Sequence, residues 1–170
     1  ANDGTNGQEL WKSDGTENGT VLVKNINQIS YQGSIQYYDF QFVIHQNELF
    51  FEANDGINGN ELWVSDGTAL GTQLVRDINV GTNSSNITKL TSTPNYILFS
   101  ARDNINNYNT LWKSDGTING TSEVLNIDLS QTSATELTFL NINNYTYFQS
   151  DELWKTDGST FNTLKVKDIN

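Results

Sequence analysis

Four carboxylates stand in equivalent settings. Asp14, Asp66, Asp115 and Asp157 each precede a glycine, at Gly15, Gly67, Gly116 and Gly158. A matched set of carboxylates is acid–base or metal chemistry if the fold brings the set to one point. The rest of the chain offers such chemistry little help. It has no Cys and a single His, His45, so zinc sites and His-paired nucleophiles are unsupported. His45 falls where a turn is expected and reads as a solvated turn residue. A second group of oxygen donors lies in two similar loops. Asp3, Asn6 and Glu9 in the first, and Asp55, Asn58 and Glu61 in the second, alternate with glycines. Calcium takes roughly six to eight oxygens from short, tightly turning segments, so these six residues are candidate Ca²⁺ ligands. Their spacing is not that of an EF-hand. The third such loop contains Arg102, and the fourth is nearly absent. A plain polar hairpin loop is the alternative.

The elements that hold these residues are repeats. Leu10-Trp11-Lys12-Ser13-Asp14-Gly15-Thr16 returns as Leu62-Trp63-Val64-Ser65-Asp66-Gly67-Thr68. It returns again as Leu111-Trp112-Lys113-Ser114-Asp115-Gly116-Thr117, and as Leu153-Trp154-Lys155-Thr156-Asp157-Gly158-Ser159. All 4 Trp residues lie in the motif. Their separations of about 52, 49 and 42 residues are the period of a supersecondary unit.

Residues 36 to 80 give the clearest unit. Tyr37 to Ile44 is rich in aromatic and β-branched residues, a strand A. Residues 48 to 53 form strand B, a Gly/Asn/Asp loop follows, and residues 61 to 65 form strand C. Asp66-Gly67 turns the chain into strand D, near residues 72 to 78. No helical periodicity appears. The order recurs at 87–92, 96–101, 110–115 and 121–127, then at 136–142, 145–149, 151–156 and 162–169. The first repeat supplies only strand C, near 9–13, and strand D, near 20–26. In strand C, Leu and Trp are adjacent and must face opposite sides of the sheet. A sheet apolar on both faces must be covered on both. The expected fold is therefore all-β: a β-propeller-type array of four-stranded antiparallel blades, three complete plus an N-terminal half blade. A two-sheet sandwich is the runner-up. The predicted repeats are 1–35, 36–85, 86–133 and 134–170, within one repeat domain spanning 1–170.

This architecture changes the reading of the four Asp residues. Asp before Gly suits a side-chain-capped turn followed by positive φ. Such turns lie away from a propeller axis and cannot share a substrate. An axial site would instead draw on strand A, through Asp39, Lys89 and Glu136. One polar group per blade is ordinary lining, so no catalytic residue is assigned.

Net charge is −11 with a pI near 4.2. That argues against nucleic acid and anionic membranes as partners, since both need basic patches. No apolar run is long enough to span a bilayer. The chain lacks an initial Met and begins inside a repeat, so it reads as a piece of a longer protein. Asn18, Asn83, Asn86, Asn119 and Asn144 each open an N-x-[Ser/Thr] sequon and are candidate glycosylation sites. Chance triplets in an Asn- and Thr-rich chain are the alternative.

Glu9-Leu10-Trp11-x-x-Asp14-Gly15-Thr16 and Glu61-Leu62-Trp63-x-x-Asp66-Gly67-Thr68 resemble the ELWxxDGT repeat of bacterial secreted and cell-surface proteins. The likeness extends to the preceding Asn-Asp-Gly loop and the following Leu-Val-[Lys/Arg] strand, and covers essentially the whole chain. It implies a propeller-like β fold and an extracellular setting, and names no activity. Thr110 replaces the expected Glu in the third repeat, and Ser159 replaces the final Thr in the fourth. The expected role is a non-enzymatic structural or adhesive module, a subunit or segment of a surface polymer or fibril. Self-association, or continuation of a longer chain, would complete the half blade. The alternative is a propeller that binds a glycan or Ca²⁺.

Overall fold

The computed structural model describes residues 1–30, 32–35, 41–129 and 138–167. Every regular element in it is a strand. β1 (Leu10–Lys12) and β2 (Val21–Lys24) make a two-stranded sheet. Three four-stranded sheets follow, each an antiparallel meander in sequence order. The second sheet holds β3 (Phe42–His45), β4 (Glu48–Asn54), β5 (Asn60–Ser65) and β6 (Gln73–Arg76). The third holds β7 (Thr88–Ser92), β8 (Ile97–Ala101), β9 (Thr110–Ser114) and β10 (Ser122–Leu125). The fourth holds β11 (Phe139–Ile142), β12 (Tyr145–Gln149), β13 (Leu153–Thr156) and β14 (Leu164–Lys167). These are the expected strands C and D of the first repeat and A to D of the others, most with shorter ends, while β3 and β4 end, and β5 begins, one residue beyond the expected bounds. The first strand of the second sheet starts at Phe42, and expected residues 36 to 40 lie outside the described residues.

The core lies between successive sheets. Leu62, Val64 and Val75 of the second sheet share a cluster with Ile97, Phe99 and Trp112 of the third. Leu98, Leu111 and Val124 of the third share one with Phe148 and Trp154 of the fourth. Leu10 and Ile26 of the first repeat meet Phe51 and Trp63 of the second. Each strand C thus sends its Leu forward, toward the following repeat, and its Trp backward. A buried side chain of this size contributes about 1.5–3 kcal/mol of transfer free energy. The alternation of strand C therefore stacks the sheets in series.

A bulge sharpens this division. In all four C–D pairs the register slips opposite the Leu-Trp step. Leu62 pairs with Arg76 and Trp63 with Leu74, leaving Val75 as the extra residue. Val75 and Arg76 both then serve the forward face. Arg76 donates to the Thr121 carbonyl at 2.5 Å and lies 5.8 Å from the Trp112 ring centroid. Lys24 does the same one repeat earlier, donating to the Thr72 carbonyl at 2.5 Å, 5.9 Å from the Trp63 ring. Lys12 adds a bond from Nζ to the Gly67 carbonyl at 2.9 Å.

One expectation is corrected. His45 is not a solvated turn residue: it ends β3, is buried, and sits edge-on to Phe50 at 6.2 Å. Its Nδ1 lies 3.0 Å from Ser92 Oγ on the next sheet. The turn itself is made by Gln46 and Asn47, both at positive φ. The first repeat supplies strands C and D as its two-stranded sheet, and before them Asn2 and Gln8 make one isolated antiparallel bridge, where Asn54 and Asn60 pair one repeat later.

Candidate functional site

The Asp-Gly turns can be built atom by atom. In the first repeat, Asp14 Oδ1 accepts from the Thr16 N–H at 2.9 Å and the Thr16 hydroxyl at 2.7 Å. The Gly15 N–H donates to Ser13 Oγ, and Ser13 Oγ meets Thr20 Oγ1 at 2.7 Å. Thr16 Oγ1 accepts from the Gly19 N–H, and Thr20 donates to the Thr16 carbonyl. The same bonds recur around Asp66 and Asp115. Gly15, Gly67, Gly116 and Gly158 have φ between +84° and +91°, which a Cβ would disfavour. The Thr hydroxyl first, then its N–H, holds each Asp carboxyl below the ordinary carboxylate range, with Ser159 acting for Asp157. These four carboxylates are turn caps, each closed within its own repeat.

Asp14, Asp66 and Asp115 also lie against Gly19, Gly71 and Gly120, where a Cβ would collide with the carboxylate. The fourth repeat has Asn162 at this place. It turns its side chain into a partner instead, with Nδ2 donating to Asp157 Oδ2 at 2.6 Å.

The motif Glu is a second internal fastening, and sequence reasoning misplaced it among metal ligands. Glu61 is fully buried and accepts from the Ile78 N–H at 2.9 Å and the Asn79 N–H at 3.3 Å. Glu9 accepts from the Ile26 and Asn27 N–H groups, both at 3.1 Å, and from Ser34 Oγ at 2.5 Å. The carboxylate pins the segment that leaves strand D. Burial pushes Glu61 up to about 7, against the opposing pull of the Ile78 N–H, Ser85 hydroxyl and Asn79 N–H. The signal was present in the sequence: Glu precedes the Leu-Trp pair on strand C, so it falls on the backward, covered face. In the third repeat Thr110 replaces it and accepts the Trp112 indole N–H at 2.9 Å. In the fourth, Glu152 is buried, with Lys165 at 4.0 Å.

The loops between strands B and C bring together only part of the proposed calcium set. Asp3 Oδ1 accepts from the Thr5 and Asn6 N–H groups, and its Oδ2 from Asn6 Nδ2 at 2.6 Å. Asp55 and Asn58 repeat this, and Asp103 with Asn106 nearly so. The Asn6 and Thr5 N–H groups lower the Asp3 carboxyl. Burial raises Asp55, but the Asn58 and Ile57 N–H groups outweigh it and the net shift is downward. Glu9 and Glu61 are committed to backbone elsewhere. The residues present therefore do not fit a calcium cage. Among the described residues no group of three or more His, Cys, Asp or Glu converges as a metal site.

Of the proposed axial residues, Asp39 and Glu136 lie outside the described residues. Lys89 is in β7 at φ 60°, where the register to β8 is irregular. The five sequon residues, Asn18, Asn83, Asn86, Asn119 and Asn144, are all exposed.

A cleft of about 530 Å³ lies between the B–C loops of the first two repeats. Its walls include Gln8, Asn27, Gln32, Ser34, Asn54 and Thr82. These are uncharged hydrogen-bonding groups, with no acid or base among them.

No family model matches the chain, and no curated protein and no solved structure matches it.

Proposed function

We propose that this chain is a non-enzymatic structural and adhesive repeat module of a bacterial extracellular surface, its sheets arranged as propeller-type blades of the ELWxxDGT kind. It acts as a subunit or segment of a surface polymer or fibril, through self-association or continuation into further repeats. One observation carries this reading: every functional group of the repeated motif is spent on folding. Asp caps its own turn, Ser and Thr cross-link that turn, Glu pins the exit of strand D, and Leu and Trp join successive sheets. The four motif Asp carboxylates and the Ser and Thr hydroxyls that flank them are all engaged within their own turns. Evenly stacked units of this kind suit load bearing, because each is fastened to its neighbours.

Force extension of the tethered chain tests the proposal. The expected record has discrete unfolding steps of about one repeat each, with no turnover in broad hydrolase and transferase screens. Catalytic turnover abolished by Asp66→Asn would overturn it.

The neutral cleft favours one second reading, the binding of an uncharged, hydroxyl-rich glycan. A glycan array that shows binding, lost in Gln32→Ala, would support it. A blank array would remove it.

A further inference from the structure

The outward faces of the first and fourth sheets carry halves of the contact that the interior makes repeatedly. At the forward face of the fourth sheet, Leu153 occupies the place of Leu10, Leu62 and Leu111. Leu62 and Leu111 are 0% exposed, whereas Leu153 is 39% exposed. Val166 stands where Val75 and Val124 stand, and is 44% exposed. Lys167 pairs with Leu153 just as Lys24 pairs with Leu10 and Arg76 with Leu62. Lys155 stands where Lys12 stands. At the other end, the backward face of the first sheet offers Trp11 paired with Leu22, the counterpart of Trp63 paired with Leu74. The Trp11 indole N–H is buried without a hydrogen-bond partner.

We infer that the forward face of the fourth sheet docks on the backward face of the first sheet of a second copy of this chain, in the register of the internal sheet contacts. This rests on the structural reading above and names its partner and surface. Two residue-level matches select a second copy as the occupant. The internal contacts set Lys24 on the Thr72 carbonyl and Trp63, and Arg76 on the Thr121 carbonyl and Trp112. By the same register Lys167 meets the Thr20 carbonyl and Trp11 of the next copy. Lys12 donates to the Gly67 carbonyl, so Lys155 meets that of Gly15. Charge agrees, because the turn these lysines approach carries Asp14 and Glu17. The contact is head-to-tail, so it propagates rather than closing as a pair. It covers only strands C and D, since the first sheet has two strands, and is correspondingly reversible.

Sedimentation of the chain over a concentration series tests this, with Leu153→Glu and Leu22→Glu as single-face variants checked for native circular dichroism. The wild-type chain is expected to form a ladder of oligomers. Each variant alone is expected to be monomeric, its association weakened at least roughly tenfold, equivalent to about 1.4 kcal/mol. An equimolar mixture of the two is expected to form one-to-one pairs and nothing longer, because each retains one intact face. A monomeric wild-type chain overturns the inference, as does self-association of Leu22→Glu, which would mean tail-to-tail contact. Neither result touches the force record or the turnover screens, so the broader structural reading fails or stands separately.

Discussion

The interface between the second and third sheets and the bare forward face of the fourth are built from matching residues and have opposite surroundings. Leu62 and Val75 face Trp112 and Phe99 and are buried. Leu153 and Val166 occupy the same register positions and face outward. The strand pattern is therefore the same in both places, and only the following sheet differs. The motif does not make a self-sufficient sheet. It makes a sheet that needs a neighbour on each side, as in other repeat architectures.

Truncation separates the two regions most widely. Leu62→Ala should cost about 2–5 kcal/mol, because it removes a fully buried side chain and leaves a cavity. Leu153→Ala in dilute protein should cost under about 1 kcal/mol, since little apolar area is lost from cover. Urea unfolding of the two variants measures the gap. Equal losses would mean that the fourth sheet is covered even in the isolated chain.

The next effect concerns the fastening by Glu61. Glu61→Ala strips acceptors from the buried Ile78 and Asn79 N–H groups and should cost roughly 1–3 kcal/mol. Its pH behaviour has a definite sign. The folded carboxyl is raised to about 7 from an ordinary 4.5, so the folded state holds the extra proton between these values. Stability from this group then falls as pH rises from about 4.5 to about 7. The turn-capping Asp residues act oppositely: their depressed carboxyls lend stability above the ordinary 3.8, lost as pH falls below it. Glu61→Gln should flatten the upper limb and leave the acid limb in place, which unfolding curves across pH would reveal.

Arg76→Met should cost about 1–2 kcal/mol, because it removes both the hydrogen bond to the Thr121 carbonyl and the cation over Trp112. Smaller still is the turn itself. Gly71→Ala pushes a methyl group against the Asp66 carboxylate and should cost about 1 kcal/mol or more. Asn162→Gly in the fourth repeat should cost less, since it loses one partly buried hydrogen bond and restores the arrangement of the other three turns. Thermal melting of these variants compares them.

Much of this was legible in the residues. The Leu-Trp step gave opposite faces by strand geometry alone, and Asp-Gly announced the turn. The four-strand unit followed from the spacing of apolar runs and Gly/Asn loops. What sequence reasoning missed depended on contacts between residues far apart in the chain, some within one repeat and some between repeats. Glu9 and Glu61 read as metal ligands because the preceding loop is rich in oxygen. Their true partners, Ile26 and Ile78, lie 17 residues away across a strand and a turn. His45 read as solvated because Gln46 and Asn47 follow it, yet the following sheet covers it through Ser92. The C–D bulge carries no marker residue, so the forward aim of Lys24 and Arg76 was invisible before the register was known.

The central claim is that strand-C neighbours serve different interfaces while residues one repeat apart share one. A double-mutant cycle measures this directly. Leu62→Ala combined with Trp112→Phe should show a coupling of about 0.5–3 kcal/mol, because the two share the contact between the second and third sheets. Leu62→Ala combined with Trp63→Phe should be additive within roughly 0.5 kcal/mol, although the two are adjacent in sequence. Strong coupling of Leu62 to Trp63 and none to Trp112 would contradict the stacked arrangement.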